Sequence, residues 1–376
     1  MRPFDSNTDE WKHSNVKGRG SASSEGKVGL RGKRKILFSI SAVILALIAA
    51  FGIAEVIARL SGESPWVRPV ASNAKIEPGG RFYAAHPSLG YTHLAGRFQV
   101  TLGTGYSFTI TNGPDTLRAT HPTDQIVSEE EMKAGIWIFG CSVTEGWSVN
   151  DEETYPWLVQ EGFPDSDVVN FGVCGYGSLQ SLIQFREALK AKAKPKVAVL
   201  AYAGFHDERN TAPRNWRKAM AVANNENGLF LLPRARLEGG ERLQVDMSEF
   251  TYREFPGMRY FALIHSLEKL YNSYEEGSRN NAEVAREILK QFAAVCAEND
   301  ILFICAGISG DRSTSSMLNY CRQQGMLTAD ISVDHKSAEY NNLPHDSHPN
   351  AKAHREYAKA LSAVLKPFLQ SQQMKK

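Results

Sequence analysis

Four short segments of this 376-residue chain hold the residues able to do acyl-transfer chemistry. Gly140-Cys141-Ser142-Val143-Thr144-Glu145-Gly146 sets a serine in a tight turn between glycines, where its hydroxyl is exposed and close to backbone N–H donors. That is the setting of an acyl-transfer nucleophile, although a plain strand-to-helix connection has the same form. Asn170-Phe171-Gly172-Val173-Cys174-Gly175-Tyr176-Gly177 lets the backbone approach a ligand and present N–H groups. It lacks the lysine of a nucleotide P-loop, and its glycine spacing is not the dinucleotide fingerprint. The third segment is Gly204-Phe205-His206-Asp207, and the fourth is Pro344-His345-Asp346-Ser347-His348-Pro349-Asn350. Pro349 suits the first position of a helix, which sets His348 at or beside the N-cap, on a loop where a base could face Ser142.

These segments need a frame. IWIFG (136–140), VVNF (168–171), VAVLAY (197–202) and ILFICA (301–306) are nearly unbroken apolar runs, as in strands buried on both faces of a parallel sheet. Between and after them, three sets recur at three- and four-residue intervals, each burying one helical face. They are Leu179, Leu182, Ile183 and Leu189; Val284, Ile288, Phe292 and Val295; and Tyr357, Leu361, Val364, Leu365 and Phe368. Alternating strands and helices predict a doubly wound α/β parallel sheet, with the chemistry at the carboxyl ends of its strands. Ahead of it, short β-type runs between about 81 and 120, broken by glycines and NGPD, predict a small antiparallel element.

The amino-terminal part is of another kind. Ile36–Ala54 runs nineteen residues without a charge, about enough to cross a hydrocarbon core of roughly 30 Å. A transmembrane helix over 36–58 follows, with a cleaved leader and a buried core helix as alternatives. Arg31, Lys33, Arg34 and Lys35 precede the run, so the positive-inside rule sets a disordered tail, 1–35, in the cytoplasm and the main domain in the periplasm or outside the cell. The expected location is therefore the inner (cytoplasmic) membrane, with a single-pass anchor. Residues 62–133 form a linker and the β element, and 134–372 the main domain, with an insertion at 208–258. Lysine plus arginine exceed aspartate plus glutamate by only two, which argues against nucleic acid as a partner. Five cysteines without a CxxC argue against a structural zinc site and a fully paired disulfide framework.

Taken together, GCSVTEG, NFGVCGYG and HDSHPN give residues 134–370 a pattern that resembles the SGNH hydrolases, also called GDSL-type esterases. The resemblance implies a flavodoxin-like sheet and no cofactor or catalytic metal. It assigns Ser142 as nucleophile, His348 as base and Gly175 as an oxyanion-hole donor. The chain departs from the family in three places. Cys141 replaces the block I aspartate. His206 stands where block III carries its oxyanion-binding asparagine; an imidazole N–H can donate the same bond, and Asn210 is a substitute donor. His345 occupies the usual aspartate position of block V, leaving Asp346 to orient His348, with Asp334 as a further candidate; with neither, a Ser-His dyad would remain.

The expected function is a membrane-anchored serine esterase or O-acyltransferase acting on an acylated glycan or similar ester. The alternative is a catalytically inactive module of the same fold that binds a glycan or protein. Arg214, Trp216 and Arg217, in the insertion, are candidate substrate contacts over the site, or else part of a solvated basic surface. Cys141 and Cys174 are expected as two buried thiols, with a disulfide as the alternative, and His354 as structural.

Overall fold

The computed structural model describes residues 25–68, 74–122, 135–227 and 231–370. A long helix, α1 (Glu25–Leu60), leads. The expected tail of 1–35 is corrected over 25–35, which is helical; its first 24 residues lie outside the described set. Once the apolar run has nucleated a helix, each added residue gains a hydrogen bond, so the helix propagates back through the basic cluster. From Gly32 to Leu60, α1 is apolar and long enough to cross a membrane.

Next come β1 (Lys75–Glu77), the hairpin β2 (Tyr83–His86) and β3 (Gly90–His93), then β4 (Gly96–Thr101) and β5 (Ser107–Asn112). Strands β1, β4 and β5 form an antiparallel sheet over Phe82, Phe98, Val100, Phe108 and Ile110. The main body then runs β6 (Ile136–Phe139), α2 (Ser142–Glu145), α3 (Tyr155–Gly162), β7 (Val168–Asn170), α4 (Ser178–Ala191), β8 (Val197–Tyr202), α5 (His206–Thr211) and α6 (Arg214–Asn227). It continues through the hairpin β9 (Leu231–Glu238) and β10 (Arg242–Glu249), then α7 (Ala262–Ser278), α8 (Asn281–Glu298), β11 (Leu302–Ser309), α9 (Arg312–Gln323) and β12 (Leu327–Val333). Strands β13 (Asn341–Asn342) and β14 (Asp346–Pro349) and helix α10 (Ala351–Gln370) complete it.

Five strands pair in the order β12-β11-β8-β6-β7, all parallel. Successive residues of β6 point to opposite faces: Ile136 and Ile138 pack with Val159, Tyr357 and Leu361 of α3 and α10. Trp137 and Phe139 pack with Phe185, Ile288 and Phe292 of α4 and α8. Helices thus cover both faces, as the unbroken apolar runs require. From β6 the chain adds β7 on one side and then β8, β11 and β12 on the other, so the carboxyl ends of β6 and β8 flank the topological switch point where such sheets bind ligands.

Arg118 ties the small β element to this sheet. It bridges to Asn170 of β7, and its buried guanidinium donates to Asp151 Oδ1 (3.1 Å) and to the carbonyls of Thr109, Glu145, Gly146 and Val149. Arg118→Met would leave Asp151 without its cation, still accepting the N–H of Thr111, and take this donor from four carbonyls. Breaking such a buried ion pair costs about 3–5 kcal/mol, so the midpoint of chemical denaturation of the solubilised chain is expected to fall accordingly. An unchanged midpoint would refute this role.

The 208–258 stretch lies beside the glycine loop after β7, where Trp216 and Met220 of α6 pack with Val173 and Tyr176. It folds as α5, α6 and a hairpin that pairs only with itself, packed against α4 and α8.

Candidate active site

Ser142 occupies the first position of α2, immediately after β6 and at the switch point. The first N–H groups of a helix have no acceptor within it, and among the described residues the N–H of Ser142 donates to none. His348 Nε2 lies 3.0 Å from Ser142 Oγ, and its Nδ1 lies 2.5 Å from Asp346 Oδ1. In the tautomer that lets Nε2 accept from the hydroxyl, Nδ1–H donates to the carboxylate. The same carboxylate oxygen accepts the backbone N–H of His348 at 2.6 Å, and the indole N–H of Trp147 donates to Oδ2 at 3.2 Å. Burial alone would raise the Asp346 pKa, but the bonds from His348 and Trp147 outweigh it and hold the carboxyl below its ordinary value. The acid stays ionised to orient the ring. Asp346, two residues before the base, takes this place. Asp334 instead accepts the N–H of Lys336 in a local turn, and His345 stacks on Tyr106.

The loop after β7 is pinned beside the nucleophile turn. Asn170 Nδ2 donates to the carbonyl of Thr144 at 2.9 Å, and Val173 N–H donates to that of Gly140 at 3.3 Å. A Cβ on Gly172 would collide with the backbone of Thr144 and Glu145, so only glycine permits this approach. Gly175 has φ 83°, and a Cβ there would strike the Tyr91 hydroxyl. Cys174 is held at both ends, its N–H by Glu145 Oε2 and its carbonyl by Tyr91 Oη at 2.6 Å. The N–H of Gly175 has no acceptor among the described residues. Cys141 and Cys174 are free thiols; burial, with Glu145 nearby, pushes the Cys174 thiol up to about 12.

Two expected oxyanion donors are corrected. His206 and Asn210 lie on α5, which packs against α4 and α8, and both ring nitrogens of His206 are sealed from solvent. Burial, reinforced by Arg209, drives the His206 pKa well below its ordinary value, so the ring is neutral. Asn210 Oδ1 accepts the N–H of Leu179 near the start of α4, and its amide nitrogen is also sealed. Of the expected substrate contacts, the two arginines are corrected as well. Arg214 lies 3.3 Å from Glu268 and Arg217 3.2 Å from Glu275, both internal ion pairs, because α7 turns these carboxylates inward. Trp216 is half-buried and packs with Tyr91 and with Val173 and Tyr176 of the glycine loop. His354 accepts the N–H of Tyr155 at 3.1 Å, and burial pushes its pKa down to about 3.

Three supporting residues were not expected. Glu145 holds Cys174 and lies 3.3 Å from His93; Trp147 holds Asp346; and Asn342 Nδ2 donates to the Ser148 carbonyl at 2.8 Å, joining the hairpin of β13 and β14 to the nucleophile turn. Glu145 and Trp147 fall within five residues of Ser142. A buried carboxylate and an indole so near a nucleophile were the available signal.

Asp207, beside His206, is a buried acid raised to about 7, chiefly by burial, while it accepts from Tyr202 Oη at 2.5 Å. An unfolded chain releases this proton near its ordinary value of 3.8, whereas the folded chain keeps it to about 7. Between those values the folded state binds more protons, so stability falls as pH rises across that window and is level above it. Asp207→Asn is expected to flatten that slope in denaturation midpoints measured from pH 4 to 8; a slope unchanged by the substitution would refute the assignment.

No family model matches this sequence, and no curated protein matches it. Among solved structures, it is similar to a protein of Desulfitobacterium hafniense DCB-2 provisionally described as a lipolytic protein of the G-D-S-L family. The identity is 13%, the TM-score 0.38, and the match covers 62% of this chain and 100% of that one. A G-D-S-L lipolytic family member from Veillonella parvula DSM 2008 matches at 10% identity and TM-score 0.36, over 62% and 99% of the two chains. A family two carbohydrate esterase from Clostridium thermocellum matches at 11% identity and TM-score 0.36, over 65% and 66%. Likeness at this level leaves the chemistry to rest on the chain's own geometry.

Proposed function

We propose that the chain is a membrane-anchored serine esterase or O-acyltransferase of the SGNH type, acting outside the cytoplasm on an acylated glycan or similar ester. The observation that carries this reading is the continuous relay from Ser142 Oγ through His348 to Asp346, with 3.0 and 2.5 Å links. His348 takes the proton of Ser142 as Oγ bonds to the ester carbonyl carbon. The oxyanion is received by the N–H groups of Ser142 and Gly175. The carbon–oxygen bond to the leaving alcohol then breaks, and that alcohol takes the proton from His348. Water or a sugar hydroxyl, deprotonated by the same ring, releases the acyl group from Ser142 and restores the enzyme. The anchor reading draws on α1 and on the basic cluster before its apolar run.

A binding module without turnover is the second reading, favoured by the sealing of His206 and Asn210, which leaves two backbone donors for the oxyanion. A fluorophosphonate probe, followed by peptide mass spectrometry, separates the two. Labelling of Ser142 together with hydrolysis of p-nitrophenyl acetate supports the enzyme. A folded chain that neither labels at Ser142 nor turns over activated acyl esters is the binding module.

A further inference from the structure

Helix α7 is amphipathic in the reverse sense. Its inward side carries Glu268, Asn272 and Glu275, and Glu268 accepts from Lys218 Nζ at 2.5 Å and from Tyr252 Oη at 2.6 Å. Its outward side carries Leu267, Leu270, Tyr271 and Tyr274, with Leu270 68% and Tyr274 75% exposed. Tyr260 and Phe261, just ahead of the helix, extend the same exposed apolar surface. A helix that turns Glu268 and Glu275 inward and presents its leucines and tyrosines, with exposed Lys269 off that face and paired with Glu63, is built for an apolar medium on its outer face.

What that medium is follows from where α7 begins. Glu55, the residue directly after the charge-free run of α1, accepts the N–H groups of Ala262 and Leu263 at 3.0 and 2.8 Å. Arg59 donates to the carbonyl of Tyr260 at 3.0 Å, and the rings of Phe51 and Phe261 meet edge to face at 5.0 Å. The first turn of α7 is therefore level with the end of the run that is long enough to span a bilayer. Tyrosines and leucines at that level match the headgroup region, where amphipathic rings and one-sided helices settle.

We infer that the outward face of α7 rests in the interfacial region of the bilayer that α1 crosses, so that the protein meets its membrane through one spanning helix and one surface helix. The inference rests on the anchor reading of α1. None of the five cysteines is exposed, so single cysteines can be introduced into the full chain and carry an environment-sensitive dye. Leu270→Cys reports on α7, Leu45→Cys on α1, and Glu241→Cys, in the turn between β9 and β10, on water. Each is reconstituted into phosphatidylcholine–phosphatidylglycerol vesicles with and without brominated acyl chains. The expected result is a blue shift and quenching by brominated lipid at positions 45 and 270, and neither at 241. Quenching at 45 with position 270 behaving like 241 overturns the inference and leaves the anchor standing. No quenching at 45 or 270 overturns both. Disulfide cross-linking of two chains through position 270 without lipid quenching also overturns it, giving the face to a second copy.

Discussion

Ser142→Ala is expected to lower kcat for an activated ester by about 10⁴ to 10⁶, the range found when a hydrolase loses one member of a nucleophile–base pair. The size of the effect follows from what remains. Without Oγ there is no atom to carry the acyl group, and His348 can only assist water that nothing positions. His348→Ala should fall by a similar factor, since a hydroxyl whose proton has no acceptor is a poor nucleophile. The double variant should be no worse than either single one, because the two groups act as a unit. Steady-state hydrolysis of p-nitrophenyl acetate, with folding checked by circular dichroism, measures all three. Activity retained in Ser142→Ala would remove this residue from the chemistry.

Asp346→Asn should be nearly as severe, about 10⁴ in kcat. The carboxylate accepts from Nδ1–H and so leaves Nε2 unprotonated beside Ser142. An amide can turn its NH₂ toward Nδ1, which favours the opposite tautomer and puts a proton where the base's lone pair is needed. With NH₂ in the Oδ1 place the amide oxygen still accepts from Trp147, and the backbone N–H of His348 is the one donor that loses its acceptor. Loss of activity should therefore come with a fall in stability no larger than the worth of one hydrogen bond, about 1 kcal/mol. A drop of less than about tenfold would mean that a Ser-His dyad suffices.

The frame was legible because its signals are local. Four of the five sheet strands are buried on both faces and read as unbroken apolar runs, while β12, at an edge, alternates (burial differs along Leu327–Val333) and went unread. The relay was legible for a similar reason. Ser142 and His348 are marked by glycines and a proline, and Asp346 by proximity. The two-residue spacing also has a physical basis, since residues i and i+2 of a strand share a face, and both lie in β14. What could not be read was direction. Nothing local says that α5 turns His206 and Asn210 toward α4 and α8, or that α7 aims Glu268 and Glu275 inward at Arg214 and Arg217. Those facts depend on which helices become neighbours, and a stretch of arginines looks the same whether it meets solvent or a glutamate from another helix.

Asp346 and His348 share a four-residue strand, whereas Ser142 begins a helix about two hundred positions earlier. Asn342 and Trp147 stitch these two parts together beside the relay, and His354 of α10 adds a bond to Tyr155. If the proposed chemistry holds, loosening this seam is expected to lower turnover before the sheet unfolds.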